Sequence, residues 1–223
     1  MRHGALAVMA VVAMATAGVW AGQGSTAKPA AAGQKPATQK PAAPAGRGTT
    51  GARGAAPTAT PAQPKKSPGA GPVVVVEMAS KGTFQFETYP NEAPKSVEHV
   101  LGLVKRNFYN GLRIHRQIPG FIAQFGDPLS RDLSKQEMWG TGGSFNIVGV
   151  GEPSPKRTHV TGAVAMAYPG KDPRQADSQM YIMLAPRHSL DGDYTVIGQV
   201  IAGMDVVQKL AKGDIIRRVT VKE

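Results

Sequence analysis

Large hydrophobic side chains are missing from a long stretch of this chain and then begin abruptly at Val73. Val73-Val74-Val75-Val76 is a β-branched apolar run of the kind that forms a buried strand. Lys81-Gly82 marks a turn, and Thr83-Phe84-Gln85-Phe86-Glu87-Thr88 alternates as a half-buried strand does, so the two segments predict a β-hairpin. Val97, Val100, Leu101 and Val104 then recur with helical spacing, which predicts an amphipathic helix over Val97–Lys105 with Ser96 as its N-cap. Ile114–Ile118 and Phe121–Phe125 read as short strands on either side of Pro119-Gly120. Residues 128–160 are rich in Gly and Pro and predict loop. Beyond them Ala163–Ala167, Met180–Ala185, Tyr194–Val200 and Ile215–Val221 predict four further strands, with a second helix over Asp205–Ala211. Many short strands, few helices and Gly/Pro turns argue for a mainly β barrel or sandwich.

The region before Val73 has a different character. Arg2 and His3 precede an uncharged apolar run from Gly4 to about Ala21. Small residues at Ala15-Thr16-Ala17 and Val19-Trp20-Ala21 offer cleavage sites, so residues 1–21 read as an export signal or, uncleaved, as a membrane anchor. Either reading places the protein outside the cytoplasm, periplasmic or otherwise extracytoplasmic; the remaining alternative is a cytoplasmic protein with a chance apolar start. Residues 22–72 hold nine of the 18 prolines and no aromatic or large aliphatic side chain. Such a segment buries too little apolar surface to offset its ordering entropy and is expected to be a disordered tether, spanning roughly 40 Å as a flexible coil. The domain organisation is then 1–21 targeting segment, 22–72 linker and 73–223 folded domain, a length that suffices for one core.

Charge follows the same division. The net charge is +11, yet the first acidic residue is Glu77 and eight of the 26 Lys and Arg residues lie before it. The folded part is nearly balanced. The basic tether suits weak electrostatic contact with an anionic membrane or cell-wall surface, or simply keeps a disordered linker soluble. The absence of cysteine excludes disulfides, thiolate metal sites, a cysteine nucleophile and a lipid anchor on cysteine.

The densest pattern is Phe108-Tyr109-Asn110-Gly111-Leu112-Arg113-Ile114-His115-Arg116-Gln117-Ile118-Pro119-Gly120-Phe121-Ile122-Ala123-Gln124-Phe125-Gly126-Asp127. It resembles the cyclophilin family, whose pattern Phe-Tyr-x-Gly-x-x-Phe-His-Arg-x-Ile-Pro-Gly-Phe followed by x-x-Gln-x-Gly-Asp is matched except at Ile114. Thr161-Gly162-Ala163-Val164-Ala165-Met166-Ala167, Ser178-Gln179-Met180-Tyr181-Ile182 and Leu190-Asp191-Gly192 resemble three further family stretches, in the right order. The resemblance covers residues 73–223. It implies a closed eight-stranded antiparallel barrel capped by two helices, and a peptidyl-prolyl cis-trans isomerase that assists the folding of exported proteins without a cofactor. By the same resemblance Arg116 is the catalytic residue, and Phe121, Ile122, Gln124, Ala167, Tyr168, Tyr181, Leu190 and Tyr194 contact substrate. Proline-containing polypeptides are the partners implied; no nucleic acid and no metal are expected, and the protein is expected to be a monomer. Departures are Met180, Tyr181 and Ile197 where the family usually has phenylalanine, Ser189 where many members have tryptophan, and Tyr194 where many have histidine.

The chemistry of the residues agrees. Resonance makes rotation about an X-Pro bond take tens to hundreds of seconds. No covalent bond need break, so neither nucleophile nor metal is required; the catalyst must favour the twisted bond over both planar forms. An arginine, charged at any useful pH, serves by donating a hydrogen bond near the proline nitrogen as its lone pair localises. Taken alone, Arg116 reads as a surface charge and Phe121 and Ile122 as core; the motif reverses this. His115, next to Arg116, reads as structural because strand neighbours face opposite sides. A proline-binding module with little turnover is the competing reading; the joint presence of Arg116, Phe121 and Gln124 argues against it. A third is a surface-binding protein whose activity lies in the basic tether.

Overall fold

A computed structural model of the chain describes Ser67 and residues 70–222; the expected targeting segment, residues 1–21, and the expected disordered linker, residues 22–72 apart from Ser67 and residues 70–72, lie outside the described residues. Eight strands form: β1 Val73–Met78, β2 Thr83–Thr88, β3 Arg116–Ile118, β4 Ile122–Phe125, β5 Ala163–Met166, β6 Met180–Met183, β7 Val196–Ala202 and β8 Ile216–Lys222. Two helices accompany them, α1 Pro94–Lys105 and α2 Met204–Gln208, with short 3-10 turns in the loops. The β1–β2 hairpin pairs Val73 with Glu87 and Glu77 with Thr83 across the expected turn. Upstream, Gly71 N–H donates to the Thr88 carbonyl (2.7 Å) and Thr88 N–H donates to the Pro72 carbonyl (3.1 Å), so the linker's last residues run on beside β2.

All strand pairs are antiparallel, in the order β3-β4-β6-β5-β7-β2-β1-β8. The sheet is an open, curled half-barrel, with β3 and β8 as its end strands, where the sequence implied a closed barrel. The reason lies in how one segment divides its hydrogen bonds. Gly111–Ile114 bonds to the start of β8, through Ile114 N–H to the Asp214 carbonyl (2.9 Å) and Ile216 N–H to the Leu112 carbonyl (2.8 Å). His115 N–H then turns to the Gln124 carbonyl (3.1 Å), and β3 continues along β4. No single strand spans both neighbours; one isolated bridge, Arg113 with Ile215, marks the junction.

The helix α1 begins earlier than its periodicity suggested, with Pro94 in the first turn, where a missing N–H costs nothing. Ser96 is not its cap. The Glu152 carboxylate reaches in from a loop 56 residues away and accepts from the N–H groups of Lys95 (3.0 Å) and Ser96 (2.8 Å). The buried stripe is Val97, Val100, Leu103 and Val104, with Leu101 only partly covered.

Strands β4, β5 and β6 are buried on both faces. Ala123, Phe125, Val164, Met166, Met180 and Ile182 join the main core with Phe84, Phe86, Leu103 and Ile197. The alternate positions, Ile122, Ala163, Ala165, Tyr181 and Met183, form a second apolar cluster with Val196 and Tyr89 on the opposite side. Such two-sided burial explains why β5 and β6 read as continuous apolar runs, while β4 is interrupted by Gln124. Among the described residues, no helix is long and apolar enough to cross a membrane.

Candidate functional site

Ile122 and Tyr181 of the second cluster reach a cavity of about 130 Å³, lined by Arg116, Phe121, Ile122, Gln124, Ala167, Tyr168, Tyr181, Leu190 and Tyr194. These are the nine residues that sequence resemblance singled out. They come from β3, β4, β6 and the connections after β5 and before β7, and strand register explains their meeting. Arg116 lies opposite Gln124 on β4, and Gln124 lies opposite Tyr181 on β6. Cross-strand partners share a face, so cationic, amide and aromatic groups stand in one row. Phe121 closes the tight turn after β3, its N–H donating to the Ile118 carbonyl (3.0 Å).

The row is wired by hydrogen bonds. Arg116 Nη1 donates to Gln124 Oε1 (3.3 Å). Gln124 Nε2 donates to Gln179 Oε1 (2.9 Å), and Gln179 Nε2 donates to the carbonyls of Gly140 (2.9 Å) and Gly142 (2.8 Å). The loop carbonyls therefore fix Gln179, Gln179 fixes the amide orientation of Gln124, and Gln124 presents its oxygen to the guanidinium. β4 and the Ser178-Gln179 segment approach closely here because Gly126 has φ +108° and no side chain: a Cβ at this position would lie 2.2 Å from the Ser178 carbonyl oxygen.

The aromatic walls interlock. Tyr168 stacks on Tyr194 at 4.7 Å between ring centroids, and Tyr194 meets Tyr181 edge-on at 5.8 Å. The Arg187 guanidinium sits over Phe121, 5.1 Å from its ring centre. Burial pushes the Tyr181 phenol well above its ordinary range, with help from neighbouring Tyr194, so it stays protonated. His115 points to the interior, as expected from its place beside Arg116. Burial pushes its imidazole down to about 4, against the opposing pull of Asp127, so it is neutral at pH 7, and it is not among the residues that line the cavity. A wider groove of about 590 Å³ adjoins the cavity and shares Gln124, Ala167 and Tyr168 with it.

Residues 73–223 match the family model described as cyclophilin type peptidyl-prolyl cis-trans isomerase/CLD. The chain belongs to the cyclophilins. It is 38% identical over 163 residues to a probable peptidyl-prolyl cis-trans isomerase of Brucella abortus, covering 72% of this chain and 79% of that one. It is 36% identical over 139 residues to peptidyl-prolyl cis-trans isomerase B of Bacillus subtilis, covering 62% and 90%. A crystal structure of a cyclophilin type peptidyl-prolyl cis-trans isomerase from Cryptosporidium parvum superposes with a TM-score of 0.58 at 25% identity, covering 68% of this chain and 98% of that one. The same protein in the presence of the dipeptide Ala-Pro superposes with a TM-score of 0.60 at 24% identity, covering 68% and 99%.

Within this cyclophilin domain, three residues of the site network were not singled out by sequence. Gln179 lay in a recognised stretch but carried no role until its position between Gln124 and the 140–142 loop was visible. His159 and Asp191 are distant in sequence, and no spacing pattern links them. The structure joins them: His159 Nδ1 lies 2.8 Å from Asp191 Oδ1 and Nε2 lies 3.0 Å from the Tyr181 hydroxyl. Burial alone would raise the Asp191 carboxyl, but hydrogen bonds from the His159 backbone and ring and from His188 hold it down at about 2.

Proposed function

We propose that the cyclophilin domain catalyses rotation about X-Pro peptide bonds in the 130 Å³ cavity, with Arg116 as the catalytic residue. The observation that carries this reading is the pairing of Arg116 with Gln124 at the rim of an otherwise apolar and aromatic pocket. The pyrrolidine ring enters between Phe121, Ile122, Tyr181 and Leu190, with Ala167, Tyr168 and Tyr194 completing the walls. While the ring is held, the preceding carbonyl swings. Arg116 donates to the region of the proline nitrogen as its lone pair leaves conjugation, an interaction stronger in the twisted state than in either planar state. Gln124, whose oxygen already holds the guanidinium, keeps that donor in place and offers a polar contact to the substrate backbone. Each tenfold of acceleration requires about 1.36 kcal/mol of such differential binding.

A protease-coupled assay of the full chain on an Ala-Pro tetrapeptide tests this. Acceleration of the slow cis phase, lost in Arg116→Ala, is the expected result; a folded Arg116→Ala protein with unchanged turnover overturns the assignment.

The same reading extends to the surroundings. The strand ends β3 and β8 are bridged by the Gly111–Ile114 segment into a functionally closed barrel, and the domain works as a monomer on proteins exported from the cytoplasm. The apolar run over residues 4–21 supports export, and the acid-free, basic linker supports a tether beside an anionic membrane or wall surface. Cell fractionation of the full chain, with and without residues 22–72, separates a tethered isomerase from one that is simply released.

A further inference from the structure

Tyr181 brings a polar group to an apolar pocket. Its side chain is almost completely buried, and a buried phenol without a partner is costly, so its O–H must be bonded on the side away from substrate. The partner is His159, which has no exposed surface at all. The carboxylate of Asp191 is an acceptor only. His159 Nδ1 therefore carries a hydrogen and donates to Asp191 Oδ1 (2.8 Å), and the Tyr181 O–H, a buried donor that needs an acceptor, finds it in Nε2 (3.0 Å). The two rings lie nearly parallel, 19° apart.

The same residue also holds the facing wall. Leu190 sits in the turn Arg187–Asp191. Arg187 N–H donates to the His159 carbonyl (2.8 Å) at one end of that turn. At the other end Asp191 Oδ1 accepts from the His159 backbone N–H (2.7 Å) as well as from its ring. His159 thus makes three bonds to the segment that carries Leu190 and a fourth to Tyr181.

We propose that His159, oriented by Asp191, is a positioning residue that sets the spacing of Tyr181 and Leu190, the two walls between which the proline ring is gripped. It touches no substrate and acts through both walls at once. The inference rests on reading the cavity as the isomerase site. Its signature is in substrate affinity more than in the rate of bond rotation, because Arg116 and Gln124 are fixed independently through Gln179 and the 140–142 loop.

The test is a double-mutant cycle on the full chain with an Ala-Pro peptide. An asparagine amide can reproduce the Nδ1 donor to Asp191 but is too short to reach Tyr181. His159→Asn is expected to raise KM roughly fivefold or more, the loss of about one hydrogen bond, with kcat within about twofold. In a Tyr181→Phe background the same change is expected to add little further loss, because the hydroxyl it served is gone. Unchanged KM in His159→Asn, or the full loss persisting in the Tyr181→Phe background, overturns the proposal. Should the variants fail to fold, nitrogen-15 shifts of the unmodified protein decide it. A His159 ring protonated at Nδ1 with a bare Nε2 supports the relay, and the opposite tautomer overturns it. A wild-type chain without turnover would sink the reading of the site itself, a result distinct from either of these.

Discussion

The two faces of β4, β5 and β6 are made from adjacent residues of the same strands, yet they answer to different constraints. The inner face, Ala123, Phe125, Val164, Met166, Met180 and Ile182, is wholly apolar and packs against α1 and the β1–β2 hairpin. The outer face alternates Ile122, Gln124, Ala163, Ala165, Tyr181 and Met183, and each polar group on it is tied down: Gln124 to Arg116 and Gln179, Tyr181 to His159. The inner face needs only volume and shape. The outer face needs direction, and direction is supplied by hydrogen bonds to residues far away in sequence. Changes on the first should therefore act on stability, and changes on the second on catalysis.

The sharpest way to break that division is Phe125→Ala. Truncating a fully buried aromatic of the inner face is expected to cost about 3–5 kcal/mol in denaturant unfolding, while the fraction that remains folded keeps its kcat/KM within about twofold. A stable variant with a damaged active site would mean that the faces are not separable.

Next in size is a pH effect from the interior. His115 titrates at about 4 in the fold against 6.5 for the free side chain. Because the folded value is depressed, the unfolded chain binds the proton more readily between these limits. The associated stability is fully present above about pH 6.5 and is lost as pH falls toward 4, by up to about 3 kcal/mol. His115→Gln should flatten the stability-pH curve in this window; an unchanged slope would assign the acid sensitivity to another group.

On the outer face, Arg116→Ala is expected to lower kcat/KM at least tenfold, about 1.4 kcal/mol, with stability changed by about 0.5 kcal/mol or less because the side chain is exposed. Wild-type activity in the folded variant would remove Arg116 from the mechanism. The smallest expected effect is at the rim: Arg187→Ala removes a cation from the face of Phe121, worth about 0.5–1 kcal/mol at an exposed site, and should change KM by about fivefold or less. A larger change would show that the guanidinium contacts substrate directly.

The inner face was legible because burial on both sides writes itself into a strand as an unbroken apolar run. The hairpin of β1 and β2, the runs of β5 and β6, and the α1 stripe follow from local periodicity, since side-chain direction repeats every two residues in a strand and every 3.6 in a helix. The candidate pocket was legible only through resemblance of a long motif; nothing in periodicity separates Ile122, which lines the cavity, from Ala123, which does not.

What the sequence determined by itself was what neighbours along the chain can dictate: the strand-rich class, the turns and the grouping of candidate site residues within one motif. Tertiary structure decided everything that depends on residues meeting across the fold. Ser96 looked like a helix cap, but a glutamate 56 residues away does that work. The ladder is open because Gly111–Ile114 bonds to β8 and Arg116–Ile118 to β4. His159, Asp191 and Tyr181 share no spacing pattern, and only the fold brings Asp191 and Tyr181 within 3.0 Å of the His159 ring. Hydrogen bonds are short-ranged and directional, so a partner's identity has no signature at either position in the sequence until the backbone brings the two together.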